Sequence, residues 1–127
     1  MPKLDLIGVV VKDMARSIAF YRLLGVSIEE PAEGEDHVEA VLPNGLRLAF
    51  DQVEMVKSFN PHWVEPVGNR MSLAFLCESP ADVDATHAKV LEAGFESHLA
   101  PWDAFWGQRY ATVLDPDGNT VDLFAPL

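Results

Sequence analysis

Apolar and polar positions along the chain alternate between two periods. Residues 4–11 form a nearly continuous aliphatic, β-branched run, which predicts a buried strand. From Met14 the period changes: Met14, Ile18, Tyr21 and Leu24 recur at helical spacing, with Asp13 placed to cap the start and Gly25 to end it. A short strand is predicted over 26–29. It is followed by an acidic turn over 29–36, broken by Pro31 and Gly34, and by a hairpin of 37–42 with 46–51 around Asn44-Gly45. The second half repeats this order. Residues 71–77 read as a strand, and Ser79-Pro80 opens a helix sided by Val83, Val90 and Leu91 and closed by Gly94. A strand at 95–99, a loop over 101–109 and a closing hairpin follow. The turn of that hairpin is Asp115-Pro-Asp-Gly-Asn119. Along its last strand Val121 and Leu123 share one face, and Thr120, Asp122 and Phe124 the other.

The order β-α-β-β-β thus occurs twice, over 1–51 and 70–127, with 52–69 as a connector. The fold class is α+β. One helix covers one face of each small sheet, and the other faces need cover in a chain this size. The expected architecture is therefore two βαβββ modules whose curved mixed sheets enclose a central cleft, within a single domain spanning 1–127.

Composition narrows what such a domain does. With 49% hydrophobic residues there is material for a core. A net charge of −11 repels phosphate backbones and anionic bilayers, so neither nucleic acid nor membrane is an expected partner. The single cysteine, Cys77, excludes an internal disulfide and a paired-cysteine zinc site. Its parity places it toward the second helix as a small buried filler. No apolar run approaches the length of a membrane span, and the N-terminus lacks the pattern of a secretory signal, so a cytoplasmic location is expected.

Candidate chemistry is sparse. His37, His62, His87 and His98 lie in different elements without metal-ligand spacing, although His37 shares a strand face with Glu39. Asp122 is a carboxylate in the middle of an apolar strand. The segment 101–109 carries Trp102, Phe105 and Trp106 beside Arg109. These aromatics are either a ligand wall, with Arg109 pairing a carboxylate, or packing against the other module or a second subunit. Phe59, His62 and Trp63 form a second aromatic group in the connector.

Two motifs, Val-Lys-Asp-Met-Ala-Arg-Ser-Ile-Ala-Phe-Tyr-Arg-Leu-Leu-Gly at 11–25 and Asp-Pro-Asp-Gly-Asn-Thr-Val-Asp-Leu at 115–123, together with the doubled βαβββ plan, resemble the vicinal oxygen chelate superfamily. That group includes glyoxalase I, extradiol dioxygenases, and fosfomycin- and bleomycin-resistance proteins. The resemblance implies a divalent metal held from four strands, at positions that here fall on Leu6 or Gly8, Arg47 or Ala49, Ser72, and Asp122. One of those four is an anionic ligand type, and Arg47 would repel a cation. The resemblance therefore points to the metal-free, ligand-sequestering members. The expected protein is a metal-independent binder of a small organic ligand or drug, acting without a cofactor or catalytic residues. Its ligand contacts would be Arg47, Ser72, Asp122, Trp102, Trp106, Arg109 and Trp63. The alternative is a lyase, isomerase or dioxygenase using Asp122 as general base, or a degenerate divalent-metal site near it. Arg47 and Asp122 either pair with each other or present opposite charges to the ligand. A homodimer is implied by the same resemblance.

Overall fold

The computed structural model describes residues 1–30 and 32–127; the expectation placed on Pro31 lies outside the described residues. The chain divides into two compact units, Met1–Glu65 and Pro66–Leu127.

The first unit runs β1 (Leu6–Val11), α1 (Met14–Leu23), β2 (His37–Val41), β3 (Arg47–Gln52) and α2 (Val53–Phe59). Its sheet has the order β1-β3-β2, with β1 parallel and β2 antiparallel to β3. Asp13 caps α1 by accepting the Arg16 amide hydrogen at 3.2 Å. Period-two alternation sorts the strands: Val38, Ala40, Leu48 and Phe50 are buried on the helix side, where the Tyr21 and Phe50 rings lie 5.0 Å apart. His37, Glu39, Arg47 and Asp51 project from the opposite face.

Two sequence expectations change here. Residues 26–29 do alternate in burial, with Val26 and Ile28 inside, yet they form no strand ladder. The reason is a competing partner: the Arg22 guanidinium donates to the Ile28 carbonyl from Nε at 3.2 Å and from its terminal nitrogen at 2.8 Å. That carbonyl is thereby taken by α1. The connector is also more structured than its composition suggested. Val53 and Val56, three residues apart, bury one side of α2 against β1 and β3. Nothing but that spacing marked it, because Gln52 supplies no side-chain cap.

The second unit runs β4 (Leu73–Leu76), α3 (Pro80–Glu92), β5 (Glu96–Ala104), β6 (Gln108–Leu114) and β7 (Thr120–Pro126). The sheet order is β4-β7-β6-β5, with β4 parallel to β7 and the other neighbours antiparallel. Ser79 caps α3 and Pro80 occupies its first turn. Ala111, Val113, Val121, Leu123 and Ala125 are completely buried on one face, the side on which Val83 and Val90 of α3 are likewise buried. The β6–β7 turn is fixed by Asp115, whose carboxylate accepts the amides of Asp117 and Asn119, each at 2.9 Å, and the Asn119 side chain at 2.8 Å.

The stretch 101–109, expected as a loop, is mostly strand. β5 continues to Ala104 and β6 resumes at Gln108, leaving a tight turn in which Gly107 adopts φ +89°. Pro101 lies inside β5 although proline weakens most strands. β5 is an edge strand with register shifts on both sides of Leu99, a position where proline is tolerated.

Candidate ligand site on the second sheet

The face of the second sheet opposite α3 gathers the chemistry. Antiparallel pairing sets Trp102 against Tyr110, Tyr110 against Phe124, and Thr112 against Asp122. All of these share one parity, so their side chains leave the same face. Asp122 is held by three hydroxyls: Tyr110 donates to Oδ2 at 2.6 Å, Thr112 to Oδ1 at 2.8 Å, and Ser72 to Oδ2 at 3.4 Å. The Tyr110 distance is in the range of charge-assisted bonds, the Thr112 distance is that of an ordinary hydroxyl bond, and the Ser72 contact is weak. Burial, then the bond to Asp122 and its negative charge, push the Tyr110 phenol up to about 12, so it remains a donor at any physiological pH.

Beside this cluster stands an aromatic ladder. Tyr110 and Trp106 meet edge-on with centroids 5.2 Å apart, Trp106 and Trp102 at 5.5 Å, and Phe105 and Trp106 at 4.9 Å. Trp106 anchors its indole on the Gln108 side chain at 2.8 Å and stays 48% exposed. The Trp102 indole nitrogen is buried and has no hydrogen-bond partner. A buried, unsatisfied donor is uncommon and calls for an explanation.

The remaining expected contacts are distributed elsewhere. Arg109 has the parity of Ala111 and leaves the α3 side, where it forks onto Asp84 of α3 at 2.9 and 3.2 Å and reaches Asp103 at 3.1 Å. It ties helix to sheet. Trp63 belongs to the first unit, with the Lys57 ammonium 5.7 Å from its ring centroid. Arg47, also in the first unit, donates to Glu39 and to Asp5, both at 2.7 Å. Arg47 and Asp122 therefore each have partners within their own unit. Glu39 in turn accepts from His37 Nε2 at 2.7 Å, and His37 Nδ1 contacts Asp51. The bonds to Asp51 and then to Glu39 raise the His37 pKa above its ordinary value.

Tyr110 and Thr112 were missed by the sequence reading. The signal was present: both alternate with Ala111 and Val113 on β6, and the Asp115–Asn119 turn fixes which of them face Asp122. Among the described residues, no group of three or more His, Cys, Asp or Glu side chains is placed to hold a metal ion. No helix among them is long and apolar enough to cross a membrane.

The family model for the glyoxalase/bleomycin resistance protein/dioxygenase superfamily matches residues 3–123. The chain belongs to that superfamily. Its α+β construction with two mixed sheets agrees with the vicinal oxygen chelate fold. Similar solved structures include a glyoxalase/bleomycin resistance protein/dioxygenase family enzyme from Burkholderia phytofirmans, 20% identical with a TM-score of 0.85, over 99% of this chain and 100% of that one. A glyoxalase-related enzyme from Fulvimarina pelagi is 19% identical with a TM-score of 0.83, over 98% and 88% of the two chains. A protein from Agrobacterium tumefaciens is 27% identical with a TM-score of 0.77, over 100% and 99%. No curated protein matches the chain.

Metal-using members of the superfamily hold a divalent cation at the four positions named above. The residues present do not fit one. Leu6 and Gly8 offer no donor, and Arg47 is a cation already engaged by two carboxylates. The Asp122 carboxylate is surrounded by hydroxyl donors rather than by imidazoles or further carboxylates.

Proposed function

We propose that this superfamily member is a metal-independent small-molecule-binding protein. It would hold an organic ligand on the face of the second sheet formed by Trp102, Trp106, Tyr110, Thr112, Ser72 and Asp122. The observation that carries this reading is the aromatic ladder set directly against a carboxylate whose partners are hydroxyls alone. Aromatic side chains beside a few fixed polar groups are the usual lining of a small-molecule site. The ion-pairing residues bear on stability instead: Arg109 clasps α3, and Arg47 serves the charge network of the first sheet.

Binding without chemistry needs shape and polar complementarity but no electrophilic centre, which suits a chain in which three of the four metal positions (Leu6 or Gly8, Arg47 or Ala49, and Ser72) carry no ligand type. Association as a homodimer in the cytoplasm belongs to the same proposal. Met71, Leu76 and Phe105 leave apolar surface exposed on the second unit, and sedimentation of the purified protein tests the dimer.

The functional test is a thermal-shift screen of antibiotics and aromatic metabolites on dialysed protein, with metal content measured in parallel. An organic compound should raise the melting temperature of metal-free protein. Stoichiometric metal retained through dialysis, or stabilisation by nickel, zinc, manganese or iron alone, would overturn the reading.

A further inference from the structure

We infer that the ligand is a flat aromatic amine: protonated at the end that meets Asp122, and carrying a hydrogen-bond acceptor at the end that meets Trp102. This deepens the binding proposal above and rests on it.

The inference follows from which way the hydrogens point. Tyr110 and Thr112 each possess a single hydroxyl hydrogen, and both are spent on Asp122. What those two groups have left to offer is oxygen lone pairs. An ionised carboxylate has about four acceptor positions, and three of them are occupied here. Hence this end of the face presents acceptors and one negative charge, and among the described residues no lysine or arginine is paired with Asp122. A partner for such a cluster must donate, and a cation satisfies it better than a neutral group. An ammonium, with three hydrogens and no lone pair, matches it.

At the other end the polarity reverses. The Trp102 indole offers one hydrogen and no acceptor; its nitrogen is buried without a partner in a side chain that is otherwise partly exposed. A ligand acceptor would relieve it. Tyr110 pairs with Trp102 across the strands and reaches Asp122 with its hydroxyl, so its ring lies between the two ends, while Trp106 packs edge-on against both aromatic rings from the β5–β6 turn. β5 and β7 are separated by β6, so their backbones lie two strand spacings, or about 10 Å, apart. A bicyclic aromatic with one methylene arm spans a distance of that order.

The first sheet shows why the polarity is informative. Its opposite-face carboxylates, Glu39, Asp51 and Asp5, are already met by His37 and Arg47. Those carboxylates are met within the first unit.

The test uses four matched probes with the intact protein: 6-(aminomethyl)quinoline, 2-(aminomethyl)naphthalene, quinoline-6-methanol and quinoline-6-carboxylate. Affinities come from calorimetry, and the Trp102 indole N–H is followed by NMR. The aminomethylquinoline should bind at least about tenfold more tightly than the alcohol or the carboxylate, as a charge-assisted bond implies. Asp122→Asn should abolish that preference for the amine. Trp102→Phe should remove the advantage of quinoline over naphthalene, read as the ratio of the two amine affinities within each protein. Amide spectra of both variants establish that they are folded. Equal or tighter binding of the carboxylate at this face would overturn the ligand class and leave the binding function standing. Failure of all four probes to bind would overturn the ligand class, and a failed thermal-shift screen as well would remove the binding function.

Discussion

The two sheets of this protein are built alike and finished differently. Each buries one face under a helix, through Phe50 and Leu48 in the first and Leu123 and Val121 in the second. On the opposite face the first sheet carries charges that answer one another: Asp5, Arg47, Glu39, His37 and Asp51 form a continuous chain of contacts. The second carries one carboxylate, three hydroxyls and a row of aromatic rings, with Arg109 kept on the helix side. A polar network that completes itself stabilises or positions its own strands. A network left with acceptors at one end and an unmet donor at the other is suited to receiving something else.

The comparison breaks most readily at the helix side. Leu123→Ala should cost about 2–5 kcal/mol, as large-to-small changes in a filled core do, and urea denaturation would measure it. If the loss were well below that range, α3 would not be the second sheet's core partner. Next in size is Tyr110→Phe, which removes a part-buried hydroxyl from Asp122 and should cost about 1 kcal/mol. The wild-type phenol titrates at about 12 against 10.0 for an unperturbed tyrosine. Its contribution to stability is therefore complete below pH 10.0 and is lost as pH rises toward 12. Tyr110→Phe should flatten that part of the stability profile.

Arg47→Met is expected to be milder despite removing two ion pairs, because exposed pairs gain little over their hydrated partners. It should leave probe affinity unchanged, and a large loss of binding would move the site toward the first sheet. The smallest effects are the opposed pH dependences of two histidines. His37 has a raised pKa, so its stabilisation is present below 6.5 and fades as pH rises through the folded value. Burial lowers the His87 pKa, with the ring bonded to Ser97 at 2.7 Å. Its contribution is present above 6.5 and fades as pH falls through the folded value. His37→Gln and His87→Gln should each flatten one side of the stability profile near neutrality.

Much of the fold was legible because its signals are local. The Asp115–Asn119 turn, the Ser79-Pro80 helix start and the period-two burial of β7 all follow from residues adjacent in the chain. Besides the uncapped helix α2 in the connector, two expectations failed through competition between local patterns and distant partners. Residues 26–29 have a strand's alternation, but Arg22 takes the Ile28 carbonyl from α1. Residues 101–104 have a loop's composition, yet β6 recruits them as an edge strand.

The site was half legible for the same reason. Asp122, Trp102 and Trp106 stood out by type, whereas Tyr110 and Thr112 acquired meaning only from cross-strand register. Arg109 was assigned to a ligand by proximity in sequence. One residue of parity sends it to the helix side instead, onto Asp84. On a strand, neighbours in sequence face away from each other, and a candidate site chosen by clustering along the chain inherits that error.

The central claim is that the second sheet, not the first, receives the ligand, and that it does so without a metal. The most direct measurement is chemical-shift mapping of metal-free protein titrated with 6-(aminomethyl)quinoline. The account predicts shifts concentrated at Tyr110, Thr112, Asp122, Trp106 and the Trp102 indole, with the indole N–H moving downfield as it gains an acceptor. Shifts centred on His37, Glu39 and Arg47, or shifts that appear only after a divalent metal is added, would contradict it.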